Sequence, residues 1–300
     1  MKVERNGKFY AMKQSCRRDI LQREAHAMNH FNHPNVLSLI DYIESPYSFV
    51  ELFGLKTNRS KMYYYLIMEY CDAGTLGDYI SEHKLSEKQT AYFMKQINEG
   101  LKYILYTKML VHRDIKLDNI LLTTKKKTNE DENTCECSKQ SSCQETGTCS
   151  QENEKVPNEN ITKKEEIDPF NLQVKIADFG FCRCYNCGTE HGRVGTPVYL
   201  CPEIHHHSSP TITSDLYSVG IMLYRMVFGM FPHELKETHG KCLCQCEGGN
   251  LIICTNMICF PESDDLEKRK KIIDLITSLI QAERKRLNWN EYFDHPYFMS

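Results

Sequence analysis

The amino-acid sequence predicts an α+β fold with two lobes, a small strand-rich lobe over residues 1–70 and a larger, mainly helical lobe over 71–300. Two observations support this division. The first quarter of the 300-residue chain is dominated by short segments of alternating polarity, which are typical of strands. The remainder contains longer segments whose apolar residues recur at helical spacing. At this length the two lobes can form a single domain with an ample core.

The chain opens with the sequence MKVERNGKFYAMK, which predicts a β-hairpin. Residues 1–5 and 8–13 alternate in polarity, and the dipeptide Asn6-Gly7 between them favours a tight turn because both residues tolerate positive φ. A two-stranded hairpin needs a further partner to be stable. Either a downstream strand supplies that partner, or the partner is missing.

Further elements are predicted from periodicity and from residues that begin or end helices. Ser86, followed three residues later by Gln89, predicts a capping box at the start of a helix. The dipeptide His33-Pro34 predicts the end of an earlier helix. The predicted helices cover residues 17–31, 76–80, 86–105, 214–228 and 268–280, and the predicted strands cover 36–43, 63–70, 120–122 and 174–176.

Residues 123–168 interrupt the apolar pattern between two short buried strands. The segment is rich in Lys, Glu, Asn, Ser, Thr and Cys and has almost no large apolar residue. Such a composition buries too little surface to offset the entropy of ordering the chain. We expect a disordered insertion within the second lobe, which either binds a regulatory partner or is simply tolerated.

The overall composition is that of a globular protein, with 41% hydrophobic and 26% charged residues. A net charge of −3 argues against a general nucleic-acid binder. The sequence has no apolar run long enough for a membrane span and no signal segment after Met1. Most of its 15 cysteines crowd into three stretches, which is not the pattern of a disulfide framework. We therefore expect a cytoplasmic chain with reduced thiols, and the nucleus is also compatible.

Three short stretches place charged residues next to buried strands. They are FYAMK ending at Lys13, VHRDIKLDN over residues 111–119, and KIADFGF with Asp178. Their order and spacing resemble the signature motifs of eukaryotic protein kinases. The stretches GTPVYLCPE, SDLYSVG and RLNWNEYFDHPYF extend the resemblance over nearly the whole chain. LIMEYCDAGTLGDYI and KIADFGFCR look most like the autophagy-initiating branch of the Ser/Thr kinases and its protist relatives.

The resemblance implies a two-lobed protein-kinase fold and phosphoryl transfer from ATP to a Ser or Thr hydroxyl of a protein substrate. This chemistry requires positioning of both reactants and neutralisation of phosphate charge. Lys13 would hold the α- and β-phosphates and pair with Glu24 on the predicted helix. Asp178 and Asn119 would hold Mg²⁺, because a hard cation prefers oxygen ligands.

The stretch VHRDIKLDN would supply the catalytic loop. By resemblance, Asp114 would accept or orient the proton of the attacking hydroxyl. Lys116, a marker of Ser/Thr rather than Tyr kinases, would contact the γ-phosphate, and Thr196 would brace the loop. Phe181 is similar to the residue found in kinases that prefer serine over threonine.

The segment LIMEYC would form the adenine side of the ATP site. Met68 matches the gatekeeper position, and the backbones of Glu69 and Cys71 would hydrogen-bond the adenine edge. Ala11 and Leu121 would lie on the two faces of the ring. Core packing is an alternative interpretation of the apolar residues among these, and both roles are compatible.

Other residues are implied to be structural. His112 and Phe179 would stack with Met28 and Leu39 as the family's regulatory spine, for which ordinary core packing is the alternative interpretation. Asp215 lies in the helix that resembles the buried anchor of the catalytic loop.

The resemblance also implies two charged contacts outside the ATP site. Glu203 and Arg286 would form the family's buried ion pair, which is structural. Arg113 normally pairs with an activating phosphate on the activation segment. In this chain Gly192 lies near the usual phosphate position, and Thr189 is the nearest hydroxyl. We therefore expect activity that does not require phosphorylation at the position of Gly192.

The glycine-rich loop that covers the ATP phosphates in protein kinases has no counterpart before Lys13. Only the end of its second strand remains, as residues 1–5. Without this cover, ATP should bind more weakly. Either the true start lies upstream of Met1, which we favour because the other catalytic residues are kept, or the chain is a shortened kinase. The competing functions are therefore an active kinase and a pseudokinase that serves as a scaffold.

The cysteine-rich stretches suggest a third function, metal or redox sensing. Cys182, Cys184, Cys187 and His191 follow the spacing C-x-C-x-x-C-x-x-x-H, whose ligand types suit Zn²⁺. Two other cysteine clusters lie within 135–149 and 242–259. None of these spacings matches a standard zinc finger, so unligated thiols are the alternative interpretation.

Overall fold

The structure is a computed structural model that describes residues 1–47, 62–125, 167–185, 194–205, 211–234, 245–247, 250–252, 258–261 and 269–299. Its strands are β1 (Lys2–Arg5), β2 (Lys8–Ser15), β3 (Leu39–Ser45), β4 (Tyr63–Glu69), β5 (Leu110–Val111), β6 (Ile120–Thr124), β7 (Leu172–Ile176), β8 (Arg183–Cys184), β9 (Gln245–Glu247) and β10 (Asn250–Ile252). Its α-helices are α1 (Arg18–Met28), α2 (Leu76–Glu82), α3 (Glu87–Lys102), α4 (Pro202–His205), α5 (Ser214–Phe228), α6 (Lys270–Leu279) and α7 (Trp289–Phe293).

The first lobe is built on an antiparallel sheet with the strand order β1-β2-β4-β3 within the described residues. Asn6 and Gly7 have φ values of 53° and 71°, so the predicted tight turn joins β1 to β2. Strand β2 pairs with β4, and Lys13 lies opposite Leu66. The hairpin therefore receives its partner from downstream in the sequence, which confirms one of the two alternatives.

Helix α1 packs on this sheet through one apolar face that also carries a glutamate. Its buried residues are Leu21, Glu24, Ala25 and Met28. The helix ends at Met28, so the predicted end at residue 31 is wrong. The chain leaves the helix because Asn29 has an extended ψ of 128° and His30 adopts a left-handed φ of 60°.

Helices α2, α3, α5 and α6 of the second lobe form close to where the sequence predicts them, whereas the short helices α4 and α7 were not predicted. The Ser86 side chain accepts the backbone N–H of Gln89, and the Gln89 side chain accepts the backbone N–H of Ser86, which confirms the capping box of α3. Helix α3 ends at Lys102 and continues as a π-helical turn over Tyr103–Thr107. Helix α5 spans the predicted 214–228 and is buried along nearly its whole length. A sheet-based first lobe and a helical second lobe confirm the two-lobed α+β fold.

The segment between α1 and β3 connects the two lobes through strand β7. The carbonyl oxygen of Asn35 accepts the N–H of Ile176 at 2.9 Å, and the N–H of Leu37 donates to the carbonyl of Ile176 at 2.9 Å. The side chain of Asn35 also donates to the carbonyl of Val174 at 3.1 Å. The end of β7, which leads directly to Asp178, is therefore held against the first lobe.

Strands β6 and β7 form an antiparallel pair that brackets the predicted insertion. Strand β6 continues to Thr124, and the Asp168 side chain accepts the N–H of Phe170 at the start of a short 3-10 turn. The predicted bounds of 123 and 168 are therefore too wide, because strand pairing extends to Thr124 and a side-chain cap orders Asp168. Residues 126–166 lie outside the described ranges.

Two findings bear on the compositional predictions. Within the described ranges, no helix combines the length and the apolar character that a bilayer span requires. The cysteines whose side chains the structure describes are all unpaired, and they are Cys16, Cys71, Cys182, Cys184, Cys201 and Cys259. The described part of the chain thus contains no disulfide framework.

A buried ion pair connects the end of the activation segment to the C-terminal region. Arg286 lies with its Nη1 2.6 Å and its Nη2 3.0 Å from the two carboxylate oxygens of Glu203. Its guanidinium also donates to the carbonyl oxygens of Gln281 and Thr213. Burial alone would raise the pKa of Glu203, but Arg286 outweighs it and holds the pKa below its ordinary value.

Gly100 of α3 allows the helix to approach β7 closely. A Cβ atom at this position would lie 2.7 Å from Cδ1 of Ile176 and 2.9 Å from the carbonyl oxygen of Asn35. Both distances are shorter than normal van der Waals contact. The absence of a side chain at Gly100 thus lets α3 pack under the junction of the lobes.

We predict that Gly100→Ala destabilises the protein by about 1–2 kcal/mol, because the steric cost of overpacking exceeds the gain in helix propensity. The free energy of unfolding in urea measures this change. Lys95→Ala, on the exposed face of the same helix, is the control and should shift that free energy by less than about 0.5 kcal/mol. A Gly100→Ala protein as stable as the wild type would contradict the proposed close packing.

We predict that Glu203→Gln lowers the free energy of unfolding by about 3 kcal/mol at neutral pH, because it leaves a buried arginine without its charge partner. The folded-state pKa of Glu203 is lowered, so the stabilisation is complete above the ordinary value of 4.5 and is lost as the pH falls through the folded pKa. The stability difference between wild type and variant should therefore shrink below pH 4.5.

The measurement is denaturant unfolding of both proteins across this pH range. Glu99→Gln serves as the control because the ion pair between Glu99 and Lys102 is exposed. This substitution should change the free energy of unfolding by less than about 0.5 kcal/mol. A difference between wild type and Glu203→Gln that is independent of pH would argue against the ion pair as its cause.

Candidate active site

Asp215, in the first turn of α5, anchors the stretch VHRDIKLDN. Its carboxylate accepts the backbone N–H of His112 at 2.7 Å and that of Arg113 at 2.8 Å. Arg113 adopts a left-handed φ of 70°, which a non-glycine residue holds only under tertiary constraint. Burial raises the pKa of Asp215, and the neighbouring His112 and the two N–H donors oppose this effect. The carboxylate thus fixes the backbone that presents Asp114.

Asp114 lies at the centre of a cluster of hydrogen-bond donors. Thr196 donates to its Oδ1 from the backbone N–H at 2.9 Å and from the hydroxyl at 2.8 Å. Lys116 lies 2.9 Å from Oδ2, and Asn119 donates to Oδ2 at 3.0 Å. Burial alone would raise the pKa of Asp114, but Lys116, Thr196 and Asn119 hold it below its ordinary value. The carboxylate is therefore ionised at neutral pH.

Lys13, Glu24 and Asp178 form a second charged cluster. The Nζ atom of Lys13 lies 2.8 Å from Oε2 of Glu24 and 2.9 Å from Oδ1 of Asp178. Burial would lower the pKa of Lys13, but Glu24 and then Asp178 outweigh it and raise that pKa. The pKa of Glu24 is also raised, because burial and the charge of Asp178 together exceed the effect of Lys13. Two carboxylates thus share one ammonium group.

The oxygen atoms of Asp178 and Asn119 fit a magnesium site. Asp178 follows the buried strand β7, has a left-handed φ of 63° and leaves its side chain 38% exposed. Within the described residues, the side-chain hydrogen bonds of Asn119 use only its Nδ2 atom, which donates to Asp114 at two positions. The amide oxygen of Asn119 and a carboxylate oxygen of Asp178 are hard donors of the type that Mg²⁺ prefers.

The residues expected on the adenine side come from strands β2, β4 and β6 and from the segment that follows β4. Ala11 is opposite Met68 in the β2–β4 ladder, Met68 is buried, and Ala11 and Leu121 are half-buried. Cys71 follows Glu69 after the end of β4, and neither of its backbone groups is hydrogen-bonded to another described residue. Burial, and then the charge of Glu69, raise the pKa of the Cys71 thiol to about 12, so the thiol stays protonated at neutral pH.

The aromatic ring of Phe179 connects the catalytic loop to the segment that follows helix α1. Its centroid lies 5.0 Å from the ring of His112 and 4.8 Å from that of Phe31. Met28 belongs to the same buried core, and Leu39 packs against it. The structure thus brings the four residues expected for the regulatory spine into one core, which also agrees with the alternative of ordinary packing.

Some sequence-based predictions fall on residues that the structure does not describe. Thr189, Cys187 and His191 lie in the gap between residues 185 and 194, and most of the other clustered cysteines also lie in gaps. Of the expected zinc ligands, Cys182 is buried, and burial raises the pKa of its thiol. Among the described residues, no group of three or more His, Cys, Asp or Glu side chains could hold a metal ion.

Gly195 is a residue of the candidate site that sequence reasoning missed. Its φ is +112°, and a Cβ atom there would lie 2.8 Å from the carbonyl oxygen of Arg113 and 2.8 Å from Leu200. Only glycine adopts this conformation without strain. Gly195 thereby lets Thr196 approach Asp114. The sequence signal was the motif GTPVYLCPE, which locates the segment but does not reveal the contact.

Comparison with known proteins finds similarity to protein kinases. A model of the protein tyrosine and serine/threonine kinase family matches residues 8–250. A putative serine/threonine-protein kinase, R517/R518, of Acanthamoeba polyphaga mimivirus is 27% identical over 93% of this chain and 52% of its own length. Serine/threonine-protein kinase atg1 of Dictyostelium discoideum is 28% identical over 92% of this chain and 32% of its own. Serine/threonine-protein kinase ULK1 of Homo sapiens is 25% identical over 93% of this chain and 21% of its own length.

These matches identify the family of the chain and show how much of each relative the chain covers. The chain spans about half, or less, of the length of these relatives. The family model covers well over half of the chain and includes Lys13, Asp114 and Asp178. The chain therefore belongs to the protein tyrosine and serine/threonine kinase family.

Proposed function

We propose that this chain is a protein serine/threonine kinase that transfers the γ-phosphoryl group of ATP to a Ser or Thr hydroxyl of a protein substrate. The observation that carries the proposal is the cluster in which Asp114 accepts hydrogen bonds from Thr196 and Asn119 and pairs with Lys116. Phosphoryl transfer needs such a fixed carboxylate beside a cation more than it needs covalent chemistry from the protein.

Asp114 has the position and the charge state of the residue that receives the acceptor hydroxyl. Its carboxylate is ionised at neutral pH and is held by donors on both oxygens, so it can orient the hydroxyl and accept its proton as phosphoryl transfer proceeds. Lys116 pairs with this carboxylate and donates to Thr196 at 2.7 Å, and its ammonium group would contact the γ-phosphate of bound ATP. The Lys116–Thr196 contact supports a Ser/Thr rather than a Tyr acceptor.

The second charged cluster would bind the nucleotide phosphates. Lys13 is held by Glu24 in the geometry expected for a cation that contacts the α- and β-phosphates. Asp178 and Asn119 would hold Mg²⁺, which when bound neutralises phosphate charge and orients the γ-phosphoryl group. On the other side of the site, the backbones of Glu69 and Cys71 would hydrogen-bond the adenine edge.

Nothing in the described residues favours the pseudokinase alternative. Lys13 lies in contact with Glu24 and Asp178, and Asp114 lies in contact with Lys116, which supports an active site over a scaffold. A scaffold has no physical need to keep two charge clusters that each contain a buried carboxylate, Glu24 in one and Asp114 in the other, because burying a carboxylate costs desolvation free energy. The retained clusters therefore support turnover.

The remaining proposals concern location, partners and regulation. We place the protein in the cytoplasm, with the nucleus as the second compartment, on the support of the unpaired cysteines. A regulatory partner of the insertion, activity that does not require phosphorylation at the position of Gly192, and Zn²⁺ binding stay sequence-based predictions.

We predict that Asp114→Asn lowers kcat by at least about 100-fold, because an amide cannot accept the hydroxyl proton. The measurement is incorporation of labelled phosphate from ATP into a generic serine peptide. Asp41→Asn, an exposed carboxyl on β3, is the control and should retain wild-type activity. Equal incorporation by wild type and Asp114→Asn would overturn the proposed function.

We predict that Gly195→Ala lowers kcat by about 10- to 100-fold while the dissociation constant of ADP changes little. The added methyl group moves Thr196 away from Asp114, and small displacements of this kind are costly in catalysis. Gly229→Ala is a matched control, because Gly229 also has a positive φ of 73° but a Cβ there meets nothing within 4 Å. It should lose stability but keep its kcat, and a similar loss of kcat in both variants would refute the steric argument.

A further inference from the structure

Lys175 is a buried cation that the proposed chemistry does not use. It lies in β7 with its side chain 9% exposed, and its Nζ atom is 3.0 Å from Oε1 and 2.9 Å from Oε2 of Glu69. Lysine is almost never buried unless it is paired. Glu69 ends strand β4, immediately after Met68, in the segment whose backbone is proposed to bind adenine. The ion pair therefore contacts the proposed adenine-binding segment through the side chain of Glu69.

Glu69 is restrained through its backbone as well as its side chain. Its N–H donates to the carbonyl of Ser38 at 3.2 Å, and the N–H of Ser38 donates to Oε1 of Glu69 at 2.7 Å. Together with Lys175, these contacts hold both the backbone N–H and the side-chain carboxylate of Glu69. The orientation of the Glu69 peptide, and of the chain that leads to Cys71, is set by this three-residue network.

The strand that carries Lys175 is itself held firmly at the centre of the molecule. In the β6–β7 ladder Lys175 lies opposite Leu121, so the two side chains share one face of the strand pair. One residue further, Ile176 is bonded to the segment between α1 and β3, and Ala177 accepts a hydrogen bond from His112 at 3.0 Å. Lys175 thus links the adenine side to a strand that is also tied to the catalytic loop.

We propose that Lys175 is a positioning residue for the purine base, which acts by holding Glu69 in the orientation that hydrogen-bonds adenine. This inference rests on the proposed function, because it assumes that the nucleotide binds at this site. A backbone edge that is fixed before binding gains affinity, since less ordering is required on association. It also gains selectivity, because adenine presents a donor at N6 and an acceptor at N1, whereas guanine presents the reverse pattern.

The ion pair could instead serve only to hold β4 against β7. These two roles differ in one measurable respect. A purely structural contact would weaken the binding of every nucleotide alike when it is removed, whereas a positioning contact would reduce the preference for adenine over guanine. The ratio of the dissociation constants of GDP and ADP therefore separates the roles.

The test is calorimetric titration of the full chain with MgADP and with MgGDP. We expect Lys175→Met to weaken ADP binding about fivefold to tenfold and GDP binding less than about twofold. Glu69→Gln should have a similar effect, and the double variant should be no weaker than either single variant because both changes remove one contact. Lys175→Arg should retain most of the preference for ADP. Lys102→Met, which removes an exposed lysine–glutamate contact on α3, is the control.

The outcomes separate this inference from the proposed function. Wild-type affinity and an unchanged GDP-to-ADP ratio in both Lys175→Met and Glu69→Gln would overturn the inference alone. Equal weakening of both nucleotides would assign the pair a structural role and would also overturn it. If Lys175→Met does not fold, Glu69→Gln decides, since Glu69 is less buried than its partner. If the wild type binds neither nucleotide, the proposed function fails and the inference fails with it.

Discussion

The arrangement of the catalytic loop depends on one carboxylate, that of Asp215, which lies buried at the start of α5. The loop backbone is strained at Arg113, and a strained backbone persists only when its polar groups have no better alternative. Asp215 accepts hydrogen bonds from the backbone N–H groups of His112 and Arg113. These bonds satisfy both donors in the strained conformation and so stabilise it. The position of Asp114, and through it of Lys116, follows from this contact.

A second constraint is the convergence of contacts on strand β7. The strand pairs with β6, receives the segment between α1 and β3, and lies over Gly100 of α3. It carries Lys175 toward the adenine side and leads into Asp178 on the phosphate side. A single short strand therefore sets the relative positions of groups that come from opposite ends of the sequence, which explains why its residues are almost completely buried.

Most of the fold was predictable because it is decided by interactions between residues close in sequence. The features that were not predicted depend on contacts between residues far apart in sequence. The turn at Asn6-Gly7 and the capping box at Ser86 were confirmed because each is decided by neighbouring residues. The motif stretches indicated which residues belong to the candidate site. The contact of Lys175 with Glu69 and the steric role of Gly195 were not foreseen, because each depends on a partner more than 80 residues away, or on the approach of two backbones.

Strands β6 and β7 stay paired close to the ends of the described residues on either side of residues 126–166. The N–H of Lys125 donates to the carbonyl of Asn171 at 2.9 Å, so the strand pair is closed on both sides of residues 126–166. For a chain closed between fixed ends, the entropic cost grows only with the logarithm of its length, by about 0.6 kcal/mol for each doubling. Sequence can therefore be gained or lost at this edge over evolutionary time at little cost in stability, while the strands that lead to the active site keep their register.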